Sequence, residues 1–113
     1  MSEIKKTAHI QIAVGLDEAG VPAKMEWQAD GTEMKACKGM LLSLFDEETK
    51  DTLKIDLWTK DMQVVEMDRF FFQTLRALSE TYQKATQNNQ LAADMHRFVQ
   101  YFGEQTEILP KQP

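Results

Sequence analysis

The 113-residue sequence holds one cysteine, two histidines, three prolines and five glycines. Cys37 alone cannot build an internal disulfide framework or a Cys-cluster metal site. His9 and His96 are too few for most zinc chemistry. Without a Pro/Ser/Gly-rich stretch, a repeat or a low-complexity segment, no internal linker can be drawn. The sequence therefore predicts a single domain over 1–113, with flexible ends at 1–5 and 110–113. No apolar run approaches the roughly 18 residues of a membrane helix, and Met1-Ser2-Glu3-Ile4-Lys5-Lys6 has no apolar signal region. No membrane insertion and a cytoplasmic location are expected. A basic excess is also missing: 13 Lys/Arg face 18 Asp/Glu, a net charge of −5, which argues against nucleic acid as a partner.

What is present is an ordinary globular balance, 42% hydrophobic and 27% charged, so the pattern has to carry the reading. Thr7–Val14 alternates, with Ala8, Ile10, Ile12 and Val14 on one side. Ala23–Ala29 alternates again, with Ala23, Met25, Trp27 and Ala29 together. Gly15, Asp17, Gly20 and Pro22 punctuate the short connection, so the two segments read as an antiparallel hairpin with one buried face. From Thr32 to Phe45, Met34, Cys37, Met40, Leu41, Leu44 and Phe45 recur at three- and four-residue spacing. That spacing favours an additional helix around 32–45 capped by Thr32. Gly39 would be unfavourable mid-helix, and the alternative is a strand over Met40–Phe45 paired across the Asp46–Asp51 turn. Thr52–Thr59 is a clearer strand, with Leu53, Ile55 and Leu57 on one side. Val64, Met67, Phe71, Leu75, Leu78, Tyr82 and Ala85 form one helical stripe with Asp61 as N-cap. Leu91, Met95, Phe98 and Phe102 form a second, ending near Gly103.

These elements predict an α+β fold. A small antiparallel sheet, the N-terminal hairpin plus a further strand or hairpin, packs against two C-terminal antiparallel helices, with the extra helix around 32–45.

Chemistry-bearing motifs are sparse. Cys37 sits in an apolar stripe, where a free cysteine is ordinarily a small core residue rather than a nucleophile. The acidic run Asp46–Asp51 lacks the alternating ligands, central Gly and terminal Glu of a calcium loop. No phosphate loop or nucleophile elbow is present, so no catalytic residue, metal ligand or cofactor site is expected. Trp58 shares its strand side with Lys54 and Asp56, a place where a polar residue is usual. It is either covered within the fold or an interface anchor. Phe70-Phe71-Phe72 spans about 200° of helix, so Phe72 leaves the main stripe and aligns with Val65, Arg69 and Arg76. Aromatic and arginine side chains together suit a protein–protein contact; the alternative is that the last helix covers Phe72.

The run Ile55-Asp56-Leu57-Trp58-Thr59-Lys60-Asp61-Met62 resembles the gliding motility-associated protein GldC family. So do Glu66-Met67 with Arg69-Phe70-Phe71, Pro22-Ala23-Lys24-Met25-Glu26-Trp27, Leu42-Ser43-Leu44-Phe45-Asp46, and Asp94-Met95-His96-Arg97-Phe98 with Tyr101-Phe102. The resemblance implies a small soluble bacterial protein associated with gliding motility, and it carries over no catalytic residues. The expected function is a non-enzymatic adaptor acting through Trp58, Val65, Arg69, Phe72 and Arg76. Its partner would be a motility-machinery component or a second copy of the chain. The alternative is a small-molecule-binding domain or minor enzyme, with a pocket between sheet and helices near Trp27, Asp56 and Trp58.

Overall fold

Alternating side chains produce strands only where a neighbour takes up their backbone N–H and C=O groups. In the computed structural model, which describes residues 2–111, five strands find such neighbours. They are β1 (Ile10–Leu16), β2 (Pro22–Ala29), β3 (Lys35–Cys37), β4 (Gly39–Phe45) and β5 (Thr52–Trp58). Two helices follow, α1 (Val64–Thr86) and α2 (Asn89–Gln105), an α+β arrangement as the sequence predicts. Met1, Gln112 and Pro113, part of the ends expected to be flexible, lie outside the described residues. The chain forms two compact units, Met1–Met62 and Gln63–Pro113.

The strand unit contains two antiparallel sheets, β1-β2-β3 and β4-β5. Asp17 closes the first hairpin: its Oδ1 accepts from the N–H groups of Ala19 at 2.9 Å and Val21 at 3.0 Å. Gly20 follows at φ 79°, a left-handed conformation that suits a residue without Cβ. In register, Ile12 faces Trp27 and Val14 faces Met25, which places the predicted apolar residues on one face. Met25 is only 1% exposed.

The segment 32–45 holds a loop and the two strands β3 and β4, which corrects the expected extra helix. Thr32 is no helix cap: its hydroxyl donates to the Ala29 carbonyl at 2.8 Å and closes the β2–β3 loop. β3 pairs with β2, and after Lys38 the chain turns into β4, which pairs with β5. Nearly every position from Met40 to Phe45 is apolar, so helical and strand periods both fit the run. Cross-strand partners decide between them: Met40 faces Leu57, Leu42 faces Ile55 and Leu44 faces Leu53, an aliphatic ladder that a helix would forfeit. The Asp46–Asp51 turn is the one anticipated for the strand alternative. Asp46 Oδ2 accepts from Thr49 N–H at 2.7 Å and Glu48 N–H at 3.1 Å, and Lys50 takes φ 61°.

In the helical unit, α1 begins two residues later than an Asp61 cap would require. Gln63 is the N-cap, and its N–H donates to the Glu66 carboxylate at 3.0 Å. Gln87 ends α1 in the left-handed conformation, and the Asn88 side chain accepts from Leu91 N–H at 3.0 Å to start α2. So short a connection makes the helices antiparallel neighbours. Their buried residues are Phe72 and Ser79 on α1 and Ala92, Val99 and Gly103 on α2. The expected stripes are rotated away from this seam: Val64, Phe71, Leu78, Leu91 and Phe98 are exposed. Small residues cause the rotation. A Cβ on Gly103 would lie 2.7 Å from Phe72 Cε1 and 2.7 Å from Leu109 Cδ1, so the glycine makes room for the ring.

Candidate functional site

In the strand unit, residues just beyond β5 tie back to the β3–β4 junction and to the start of β2. Thr59 N–H donates to the Lys38 carbonyl at 2.8 Å, and Lys60 N–H to the Pro22 carbonyl at 3.2 Å. Lys60 Nζ also reaches Asp17 Oδ2 at 3.0 Å. Asp17 thus accepts bonds from two backbone amides and one ammonium. Its carboxyl is held below the usual carboxylate range, first by the Val21 amide and then by Lys60. Asp61 is lowered as well, chiefly by the Thr59 hydroxyl donating at 2.6 Å and further by the charge of Lys38.

This tether frames a cavity of about 320 Å³ lined by Val21, Pro22, Asp56, Leu57, Trp58 and Lys60. Trp58 faces Gly39 across the β4–β5 ladder, so no cross-strand side chain covers the indole, which is 54% exposed. Asp56 is ion-paired with Lys54 along its own strand. The cavity therefore combines an apolar wall, one uncovered aromatic and two charges that already have partners. Such a surface suits an apolar side chain better than a substrate needing acid–base chemistry. Asp56 and Trp58 both line it, but Trp27 does not, and every lining residue belongs to the strand unit, so it is not the expected pocket between sheet and helices. Val21, Pro22 and Lys60 were not anticipated there. The Asp17–Lys60 pair, 43 residues apart in sequence, and the Lys60 N–H to Pro22 carbonyl bond bring Val21 and Pro22 to Trp58.

A second cavity in the same unit, about 350 Å³, includes Met25, Cys37, Lys38, Thr59 and Asp61. The half-buried Cys37 lies there without either imidazole. His9 lies 3.6 Å from Asp30, and His96 lies 3.4 Å from Ser79 Oγ.

On α1 the predicted patch divides. Val65, Arg69 and Arg76 are exposed, Val65 at 65%. Phe72 is 5% exposed, which corrects its place as a contact residue. The space left by Gly103 draws the ring inward, and the Arg76 guanidinium stands over it, 5.3 Å from its centroid. Arg76 thus caps Phe72 instead of standing beside it on a common surface.

Comparison with known families decides the relationship. The family model described as "Gliding motility-associated protein GldC-like" matches residues 22–108. The chain belongs to the GldC-like family. The match runs from the start of β2 to just beyond the end of α2 and so includes Trp58, the α1 patch and nearly all of the cavity lining. No curated protein and no solved structure matches this GldC-like chain. Among its described residues no helix is long and apolar enough to cross a membrane.

Proposed function

We propose that this GldC-like protein is a non-enzymatic adaptor that binds a protein component of the gliding apparatus on the cytoplasmic side. Trp58 is the anchor, and the cavity beside it receives an apolar side chain of the partner. Val65, Arg69 and Arg76 form a separate contact on α1. The observation that carries the reading is the uncovered indole of Trp58 in an apolar recess whose charges already have partners. Exposed aromatic rings of this kind are what interfaces cover, and covering this one would leave no charge unpaired.

Trp58→Ala should lower stability by less than about 1 kcal/mol, since the ring is half exposed. It should weaken partner binding about 30-fold or more, on the scale of interface hot spots. A photo-crosslinking residue at position 58, expressed in the native cell, should trap a motility component, and cells carrying Trp58→Ala should spread more slowly. Unchanged spreading with an empty crosslink would end the proposal.

A cavity of this volume is also the size of a small-ligand site, which favours one second reading, a small-molecule-binding domain. A ligand screen by thermal shift tests it: a hit abolished by Trp58→Ala supports that reading.

A further inference from the structure

Every strand but two carries a charge: Lys24 and Glu26 on β2, Lys35 on β3, Lys54 and Asp56 on β5. β4 has none, but its residues Gly39–Leu42 are half covered. β1 is the other exception. It reads Ile-Gln-Ile-Ala-Val-Gly-Leu, with no charge and no proline, and every residue but Val14 is exposed, Ile10 at 75%. Its only strand neighbour among the described residues is β2, so its outer edge is open. An uncharged, regular, apolar edge is a template for another strand, and proteins ordinarily protect such edges with charge or proline.

The hydrogen-bond parity shows what this edge offers. His9 lies opposite Asp30 and accepts its N–H at 3.2 Å, and Asp17 lies opposite Val21 and donates to its carbonyl at 2.9 Å. Odd-numbered residues of β1 therefore bond inward to β2, and the backbone groups of Ile10, Ile12, Val14 and Leu16 point outward. The irregularity at Gly15/Leu16 places the extra residue, Ala23, on β2, so β1 keeps its own alternation.

We infer that the occupant of this edge is β1 of a second copy, paired antiparallel about a two-fold axis at Ala13. Ile10 then faces Leu16 of the second copy and Ile12 faces Val14, each pair exchanging two backbone bonds, so all four outward positions are used. The pairing keeps parity, so both copies turn their apolar side chains to the same face of one continuous six-stranded sheet. Charge selects the direction. Lys6 precedes the strand and Glu18 follows it, whereas Lys5 and Asp17 are already paired with Glu3 and Lys60. Antiparallel pairing sets basic end beside acidic end at both rims, whereas parallel pairing sets like beside like. Nothing in this inference depends on Trp58.

The test uses the full chain. Light scattering should give twice the 13.0 kDa chain mass for the native protein. Ala13→Lys places two ammonium groups face to face at the axis, on the polar side of the strand, and should give a monomer with native far-UV circular dichroism. In a Cys37→Ser background, Ala13→Cys should oxidise to a covalent dimer, because opposed residues of a non-hydrogen-bonded pair lie about 4.5 Å apart. Gln11→Cys should not, since its own copy would lie roughly 14 Å away along the strand. A monomeric native protein overturns the inference. So does a dimer that cross-links through Gln11→Cys but not through Ala13→Cys.

Discussion

The two units reach order by opposite routes. The strand unit holds its register through pairings between distant residues, yet encloses few side chains: Met25 and Thr59 are its buried residues. The helical unit is ordered by local hydrogen bonds and closes a seam of Phe72, Ser79, Ala92, Val99 and Gly103. Backbone pairing can define a strand's geometry without a filled interior, whereas two helices depend on side-chain packing to stay together. The strand unit consequently keeps several large apolar groups outward, Trp58 and Ile10 among them.

The helical seam should show the largest response to mutation. Phe72→Ala removes a ring held between α1, Gly103 and Leu109 and should cost about 3–5 kcal/mol. The loss would appear as a lower midpoint in helix ellipticity. Trp27 and Trp58 both lie in the strand unit, so tryptophan fluorescence reads that unit separately. Had Phe72 been an exposed contact, the same substitution would leave the midpoint nearly unchanged. Next comes Gly103→Ala, whose new methyl meets two side chains at 2.7 Å and should cost about 1–3 kcal/mol by overpacking. Chemical denaturation of Gly103→Ala with Phe72→Leu should recover part of that loss, because the smaller side chain vacates the contact. Arg76→Gln removes the guanidinium above Phe72 and should cost about 0.5–1 kcal/mol, visible in the same denaturation midpoint.

The smallest effect belongs to the strand unit and to acid. Asp17, Asp46 and Asp61 all titrate below their ordinary value of 3.8, and their turn-closing and hydrogen-bonding partners are the cause. A depressed folded-state pKa means the stabilisation is complete above about pH 4 and disappears as pH falls through the lower folded value. Amide protection, measured against the unfolded-chain rate at each pH, should therefore fall around the 17–21 and 46–51 turns below pH 4 while the α1–α2 seam stays protected. Replacing Asp17 by Asn should flatten that pH dependence at the first turn.

Legibility in the sequence follows the same division. The β1–β2 hairpin was readable because two alternating segments flank a short turn whose Asp17 and Gly20 suit tight geometry. The helices were readable from long repeats and from Asn88 between them, and the GldC-like relationship from the Asp56–Met62 run. The segment 32–45 was not, because its almost wholly apolar stretch Met40–Phe45 satisfies both periods until a partner strand is known. The buried face of the helix pair was also missed. A search for large hydrophobic residues passes over Ser79, Ala92 and Gly103, although small residues are what lets two helices approach.

From composition and period alone, the chain was bound to be acidic, to hold both strands and helices, and to carry Trp58 on the polar side of its strand. Those properties follow from the charge count and from the two- and 3.6-residue repeats, and both act over short distances. Three-dimensional packing alone decided that 32–45 would extend, that Asp17 and Lys60 would shape a recess beside Trp58, and that Phe72 would turn inward. Each of those outcomes depends on a neighbour outside the local repeat (β5 across its turn, the first turn, Gly103), and no local preference encodes where such a neighbour will stand.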